Sequence, residues 1–443
     1  MSANTKLKKA ALHNLGCKVN SYETQAMTEL LIADGYQIVG FEEKADVYVI
    51  NTCSVTNVAD RKSRQMIHRC KKNNKDAIVV ATGCYIQNFG KDEADNLGVD
   101  IILGNNKKSE LIDAINECIC NKQPVSNYLD INDGVVDYEC MNITEDQEHT
   151  RAFVKVQDGC NQFCSYCIIP FARGRVRSRT IDDVLNEVNK LAKNNYKEVV
   201  ITGIHLSSYG KDEDYDLGDL LEKIHEIDGI QRIRLGSLEP QIVTEEFTSR
   251  IASLNKLCPH FHLSLQSGCD TVLGRMNRKY TTKEYKNGCD ILRKYFVNPA
   301  ITTDVIVGFP QETEEEYLQT FDFVKDISFY EMHVFSYSKR EGTKAAKMTG
   351  QVPNSVKKFR SNQMIELANT MSISYRKEFI GKKLSVLFEE IILIDGKEYA
   401  VGFSKEYIKC AIPIIDNNHF VNNIVEVVGR KYDTILEYLF VEI

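Results

Sequence analysis

No stretch of this 443-residue sequence approaches the ~18 consecutive apolar residues of a membrane span. Nor does the N-terminus, MSANTKLKKAALHNLGC, read as a secretory leader, because His13 and Asn14 interrupt the short apolar stretch behind its lysines. Both absences predict a cytoplasmic protein with no membrane partner. Basic residues are outnumbered, 55 Lys and Arg against 62 Asp and Glu, for a net charge of −7. That excludes a uniformly basic nucleic-acid coat and leaves room for local basic patches. Tryptophan is missing altogether, an absence with no functional message. Cysteine is too sparse for a small disulfide scaffold: 14 residues, about 3% of the chain. In a reducing compartment such thiols serve as core fillers, metal ligands or catalytic groups. What is present is a globular balance of 43% apolar and 26% charged residues, in a chain long enough for two or three domains.

Three regions differ in pattern. Residues 1–120 alternate strand-length apolar runs (Lys9–Leu15, Asp46–Thr52, Ala77–Gly83, Val99–Leu103) with helical stretches (Tyr22–Asp34, Thr56–Lys72, Lys108–Cys118). This alternation predicts an α/β domain with a parallel sheet. Residues 121–150 carry seven acidic residues against one Lys and read as a linker. Residues 151–372 predict six strands, at Ala152–Val156, Glu198–Thr202, Arg232–Leu235, His260–Leu265, Ile301–Val307 and Glu331–Ser336. Helices begin between them near Ile181, Leu217, Thr244, Thr282 and Thr313, two with capping-box spacing, Thr281 to Glu284 and Thr313 to Glu316. The pattern suits a partial (β/α)6 barrel, with a doubly wound sheet as the alternative. Residues 373–443 switch to closely spaced strands and predict a small antiparallel β-barrel.

The densest chemical signal is Cys160-Asn-Gln-Phe-Cys164-Ser-Tyr-Cys167, directly after the first strand of the second region. Three thiolates on one loop can hold three corners of an iron–sulfur cube and leave the fourth iron open. A structural zinc is the alternative. Cys17, Cys53 and Cys84 are dispersed, yet each lies just past the C-terminal end of a predicted strand, in AALHNLGC, DVYVINTC and AIVVATGC. Ligands of open parallel sheets collect in the crevice beyond those ends, so these thiols can meet there. Three separately buried cysteines is the other reading. The remaining eight cysteines lack such placement and read mostly as core fillers.

The run CNQFCSYCIIPFARGRVRSR resembles the signature of the radical S-adenosylmethionine (SAM) methylthiotransferases. LGCKVN, NTCSVTNVADRKSRQ and GCYIQ resemble that family's three-cysteine N-terminal domain. TGIHLSSYG, RLGSLEP, HLSLQSGCDTVLGRMNRKY, TDVIVGFP and FSYSKREGTKAAKM extend the likeness over about residues 9–350, and the tail resembles a TRAM domain. The resemblance implies two [4Fe–4S] clusters, one on Cys160, Cys164 and Cys167 that binds and cleaves SAM, and one on Cys17, Cys53 and Cys84 where sulfur is delivered. It places Tyr166 against the adenine and Thr202 and Gly203 at the methionyl amino group. Ser237, Glu239, Gln266 and Asp304 follow or end other strands and are the remaining candidate SAM contacts. Gln311, in GFPQET, departs from the family's glycine and predicts a type I turn in place of type II.

Two basic stretches suggest an RNA substrate. Arg61, Lys62, Arg64, Arg69, Lys71 and Lys72 lie on the helix after Cys53, and Arg173, Arg175, Arg177 and Arg179 alternate after the cysteine loop. If the second stretch is extended, its four arginines share one face and suit phosphates. The tail has nine basic and eleven acidic residues from Ile373 to Ile443, so its charge alone does not suggest RNA. LGCKVN and TNVADRKSRQ most resemble the branch that methylthiolates N6-threonylcarbamoyladenosine beside the tRNA anticodon. That resemblance implies the anticodon stem-loop, an electron donor and a sulfur source as partners. Thr56-Asn57, where isopentenyladenosine enzymes tend to carry Arg-Glu, is the expected selectivity pair. The rival substrates are isopentenyladenosine in tRNA and a ribosomal-protein aspartate; a zinc-dependent RNA-binding protein is the rival from another class.

Overall fold

The computed structural model describes residues 8–128, 131–132, 136–144, 150–414 and 419–443. The N-terminal sheet comprises β1 (Lys9–Asn14), β2 (Gln37–Ile38), β3 (Val47–Thr52), β4 (Ile78–Gly83), β5 (Ile101–Leu103) and β6 (Val125–Asn127). They pair entirely in parallel, in the order β2-β1-β3-β4-β5-β6. Helices α1 (Lys18–Ala33), α2 (Asn57–Asn73), α3 (Cys84–Leu97) and α4 (Leu111–Asn121) make the crossovers. Every residue of β3 is buried, as expected for a central parallel strand covered on both faces.

The stretch 121–150 is not a free linker. Its residues 125–127 form β6, an edge strand in register with Ile101–Leu103. Farther on, the Met141 carbonyl accepts a hydrogen bond from the Tyr22 hydroxyl, and the Ile143 amide donates to Glu187. Residues 129–130, 133–135 and 145–149 of this stretch lie outside the described residues.

The central region holds β7 (Ala152–Asp158), β8 (Arg177–Ser178), β9 (Glu198–Gly203), β10 (Arg232–Leu235), β11 (Ser237–Leu238), β12 (His260–Leu263), β13 (Ala300–Val307) and β14 (Glu331–Ser336). Two four-stranded sheets, β10-β9-β7-β8 and β11-β12-β13-β14, continue one another through β10 and β11 into a barrel arc. All pairs are parallel except β7 with β8. The outer helices are α5 (Ile169–Arg173), α6 (Ile181–Lys193), α7 (Leu217–His225), α8 (Glu245–Ala252), α9 (Asp270–Arg275), α10 (Thr282–Tyr295), α11 (Glu314–Ile327) and α12 (Asn354–Lys377). Both expected capping boxes form at α10 and α11, and Asp216 with Asp219 adds a third at α7.

Strand alternation sorts this barrel cleanly. Val154, Val156, Val199, Ile201, Ile233 and Leu235 join the helix-facing core. The alternating set, Lys155, Gln157, Glu198, Thr202, Arg232 and Arg234, points to the other face and makes the interior polar. α1 packs against β7 and β9, so the N-terminal domain lies against the barrel strands.

Gln311 corrects the turn expected from sequence. The Glu312 amide bonds back to the Phe309 carbonyl at 3.0 Å, and Gln311 has φ +65°. This is the geometry of a type II turn, held by the Gln311 amide on the Gly350 carbonyl at 2.8 Å. Neighbouring contacts override the local preference of glutamine.

The tail forms β15 (Lys383–Ile394), β16 (Lys397–Ser404), β17 (Lys409–Pro413), β18 (Ile424–Asp433) and β19 (Tyr438–Glu442), closed as β15-β16-β17-β19-β18. Four of the strand pairs are antiparallel, and β17 with β19 closes the barrel in parallel. This small barrel covers the N-terminal ends of the central strands. Arg232 donates to the Phe403 and Ser385 carbonyls and Arg234 to those of Lys405 and Ser404. Arg151 pairs with Glu389 at 2.5 Å and lies over the Phe403 and Tyr407 rings.

Candidate active site

Cys17, Cys53 and Cys84 follow β1, β3 and β4, three adjacent strands, at their C-terminal ends. Parallel pairing therefore brings the three thiols to one edge of the sheet. A β-carbon on Gly16 would fall 2.9 Å from the Cys53 sulfur. Gly83 has φ +93°, and a β-carbon there would lie 2.4 Å from the Thr52 carbonyl oxygen, so only glycine lets Cys84 start α3 so close to β3. Asn20 binds the strand ends together by donating to the Leu15 and Thr52 carbonyls at 2.7 and 3.0 Å. The thiols are within electrostatic reach of one another. Burial pushes Cys53 up to about 11, and the Cys84 and Cys17 thiols add to that shift. Without a metal to displace its proton, the Cys53 thiol stays neutral near pH 7.

Cys160, Cys164 and Cys167 lie on the loop between β7 and α5. The Cys160 amide donates to the Gly174 carbonyl at 3.0 Å, and Ser165 bonds the Met276 and Arg275 carbonyls, fixing the loop over the strand ends. Burial pushes Cys160 up to about 11 and Cys167 up to about 12, with neighbouring thiols contributing.

One arginine faces each thiol set. Arg278 reaches the Cys164 sulfur at 3.3 Å and pairs with Glu239 at 2.6 Å. Arg173 reaches the Cys84 sulfur at 3.3 Å while pairing with Glu23 at 2.8 Å and Asp158 at 3.1 Å. Lys155 and Lys108 join Glu23 at 2.8 and 3.2 Å. Four buried cations, Arg173, Lys155, Lys108 and Arg177, thus meet two buried carboxylates, Glu23 and Asp158, beside Cys17 and Cys84. The surplus positive charge fits an anionic thiolate-bound group there and not three neutral thiols. Among the described residues no group of three or more His, Cys, Asp or Glu is arranged to hold a single metal ion. Zinc–sulfur bonds of about 2.3 Å would draw the sulfurs closer together than a cube with one cysteine per corner does. Each set offers three thiols, the donors an iron–sulfur cluster takes, and the set holding Cys84 has a buried guanidinium on its sulfur.

The arginine row expected to face RNA does not form. Arg173 ends α5, so the segment is not extended, and Arg173, Arg177 and Arg179 are all buried. Arg179 pairs with Glu187 and Asp183, and Arg177 lies 3.8 Å from Asp158. A guanidinium committed to a buried carboxylate is not available to phosphate. Arg175 alone stays exposed, 4.6 Å over the Phe163 ring. On α2, Arg61 is exposed, whereas Arg64 leans over Tyr85 and donates to its hydroxyl at 3.1 Å.

The candidate SAM contacts spread around the mouth of the arc. Thr202 and Gly203 end β9, Ser237 opens β11, and Glu239 follows it. Gln266 bridges to β13 through the Asp304 carbonyl at 2.8 Å, and Asp304 lies 3.4 Å from the His262 ring. Tyr166 packs edge-on to Phe309 at 6.5 Å. Burial opposes ionisation of Glu239, yet His205 and Arg278 hold its carboxyl below the usual range. Thr56 and Asn57, the expected selectivity pair, have structural duties instead. Thr56 caps α2, and Asn57 donates to the Lys339 carbonyl and accepts from Arg340. Sequence reading missed Arg278 and Arg340. Arg278 sits within the HLSLQSGCDTVLGRMNRKY block, but nothing local ties it to Cys164.

Residues 154–324 match the radical SAM superfamily, and residues 9–104 match the uncharacterized protein family UPF0004. The threonylcarbamoyladenosine tRNA methylthiotransferase MtaB of Bacillus subtilis is 41% identical, across 90% of this chain and 89% of that protein. The chain belongs to the radical SAM methylthiotransferase family. The Thermotoga maritima MtaB is 38% identical, across 91% of each chain. A Clostridium novyi tRNA-2-methylthio-N(6)-dimethylallyladenosine synthase is 36% identical across 84% of each. Among solved structures, the radical SAM methyltransferase TsrM of Kitasatospora setae, with cobalamin and a [4Fe–4S] cluster bound, aligns with TM-score 0.56 at 13% identity over 75% of each chain. That likeness concerns the fold. As a radical SAM methylthiotransferase, the enzyme uses SAM and [4Fe–4S] clusters. No helix among the described residues is long and apolar enough to cross a membrane.

Proposed function

We propose that this enzyme converts N6-threonylcarbamoyladenosine at position 37 of tRNA to its 2-methylthio derivative. Cys160, Cys164 and Cys167 hold the cluster that binds SAM, and Cys17, Cys53 and Cys84 hold the second. The observation carrying this reading is the abutment of the two thiol sets. Arg173, in the helix following Cys167, touches the Cys84 sulfur, so the pole of the N-terminal sheet meets the cysteine loop at the barrel. The relatives named for this substrate, at 38–41% identity, favour it over dimethylallyladenosine, for which relatives at 35–36% are named.

An aromatic C–H has no acidic proton for ordinary acid–base chemistry. When bound, the clusters and SAM would supply a carbon-centred radical and the sulfur to be inserted. The chain's own work is aim and enclosure. Arg173 and Arg278 direct N–H groups at ligand sulfurs, where such donors tune a cluster. Tyr166, Thr202, Gly203, Ser237, Gln266 and Asp304 form the SAM-facing rim, and Glu239 orients Arg278. The 403–407 segment closes the barrel floor and α1 lies against its side, limiting access of water to a reactive radical. Arg61, Arg64 and Arg175 contact the anticodon stem-loop phosphates. A reducing partner and a sulfur source act with the enzyme in the cytoplasm, where its tRNA substrate is found.

The test is the Cys17→Ala variant, assayed with the modified anticodon stem-loop. It is expected to cleave SAM reductively and form no methylthiolated nucleoside by mass spectrometry. Product formation at the wild-type level would overturn the assignment of the second site.

A further inference from the structure

The segment that follows β14 touches both thiol loops. Its Arg340 is buried and crosses to the N-terminal domain, where the guanidinium holds Asp60 at 2.5 and 2.9 Å and donates to the Ser54 hydroxyl. Ser54 follows Cys53 directly, and Asp60 lies in the first turn of α2. The Ser54 hydroxyl donates in turn to Asp60 at 3.1 Å. Asn57 accepts from Arg340 at 3.3 Å and donates to the Lys339 carbonyl at 2.9 Å. Five residues after Arg340, the Ala345 amide donates at 2.7 Å to the carbonyl of Ser165, which lies between Cys164 and Cys167. Gly342 lies between these two ends, and a β-carbon there would sit 3.3 Å from the side chain of Ile168, the residue after Cys167. The span is braced internally, since the Thr343 hydroxyl donates to the Arg340 carbonyl at 2.7 Å. Tyr337 and Ala345 share a buried cluster with Phe309, against which Tyr166 of the cysteine loop packs.

We propose that residues 340–345 are a strap that fixes the spacing of the two thiol loops, and that Arg340 is its positioning residue. The inference rests on the assignment of the two thiol sets above. Transfer between two sites demands close register, and a displacement of about 1 Å can cost about a hundredfold in rate. On the Cys84 side, the N-terminal sheet is pinned to α5 by Arg173 and by Asn105, which donates to the Ala172 carbonyl at 2.8 Å. Arg340 supplies the corresponding hold on the Cys53 side. Tethers on two sides of the three-thiol pole resist its rotation as well as its separation from the barrel. A buried pair suits this duty, because parting it strands each charge away from water. Arg340 acts through Ser54 and Asp60, so its contribution is alignment.

The test compares full-length wild type, Arg340→Met, Asp60→Asn, the double variant and Arg340→Lys after anaerobic reconstitution. The measured quantity is SAM cleaved per methylthiolated nucleoside formed on the modified anticodon stem-loop, with iron content and urea midpoint identifying variants that are loaded and folded. Arg340→Met and Asp60→Asn should each raise that ratio by roughly ten- to a hundredfold. The double variant should be no worse than the worse single, because both changes break one pair, and Arg340→Lys should recover part of the loss. In the metal-free protein, hydrogen exchange of Arg340→Met should quicken at both ends of the strap, in the first turn of α2 and at the Ala345 amide. SAM cleavage and product falling in proportion, or faster exchange confined to α2, overturns the strap. If Cys17→Ala makes no product yet Arg340→Met keeps the wild-type ratio, the strap alone fails. If Cys17→Ala forms product at the wild-type level, the assignment of the thiol sets fails and takes the strap with it.

Discussion

Single residues carry the junctions on which the site depends. Gly16-Cys17, Gly83-Cys84 and Gly159-Cys160 share one device, a glycine at positive φ that turns the chain so that the next residue's thiol leaves a strand end. Gln311 is the contrasting case, a side chain held where glycine would be relaxed. A β-carbon in the left-handed region costs about 1–2 kcal/mol, partly offset by the greater unfolded-state entropy of glycine. Gln311→Gly is therefore expected to raise stability by about 0.5–1 kcal/mol, read as a higher urea midpoint at unchanged slope; a lower midpoint would show that the Gln311 side chain earns its place through the contacts near Gly350. Two signals marked the six candidate cysteines in the sequence: the close spacing of Cys160, Cys164 and Cys167, and the position of Cys17, Cys53 and Cys84 beyond strand ends. The fate of the arginine row was not legible there, because its partners Glu23, Asp158 and Glu187 are named only by the tertiary fold.

At the scale of elements, alternation and caps predicted most of what forms. The six barrel strands and the starts of α6, α7, α8, α10 and α11 fall within a residue or two of their expected positions. β6 escaped notice because an edge strand with one face open needs few apolar residues, and Val125-Ser126-Asn127 offers one. The α11 capping box also reaches the site. Glu316 bonds back to the Thr313 amide and pairs with Arg275 at 2.5 Å, and the Arg275 carbonyl accepts from Ser165 on the cysteine loop. The Arg275 guanidinium holds the Glu316 carboxyl down to about 2, despite partial burial. A depressed carboxyl stabilises the fold above its unfolded pKa and loses that contribution as pH falls through the folded value. Glu316→Gln should cost about 1–2 kcal/mol at neutral pH, after allowance for solvent screening. In urea titrations the gap from wild type should narrow below the ordinary carboxylate range and close near pH 2. A gap independent of pH would assign the loss to packing instead.

For the whole molecule, three units build one enclosure. The N-terminal sheet contributes a pole of three thiols, the central arc contributes a second set at its mouth, and the C-terminal barrel closes the floor through Arg151, Arg232 and Arg234. The sequence announced the three units but not their docking, since those arginines sit in strands where pattern reading sees only a polar alternate. Buried cations exceed carboxylates beside Cys84, so the folded chain is arranged for negative charge there. A thiolate-bound cluster would supply it. The most direct measurement is iron and sulfide per chain after anaerobic reconstitution, for wild type and for two triple variants, Cys17/Cys53/Cys84→Ala and Cys160/Cys164/Cys167→Ala. Two cubes predict about eight irons in wild type and about four in each variant. Zinc in place of iron, or about four irons in wild type that survive loss of the N-terminal triad, would contradict the account.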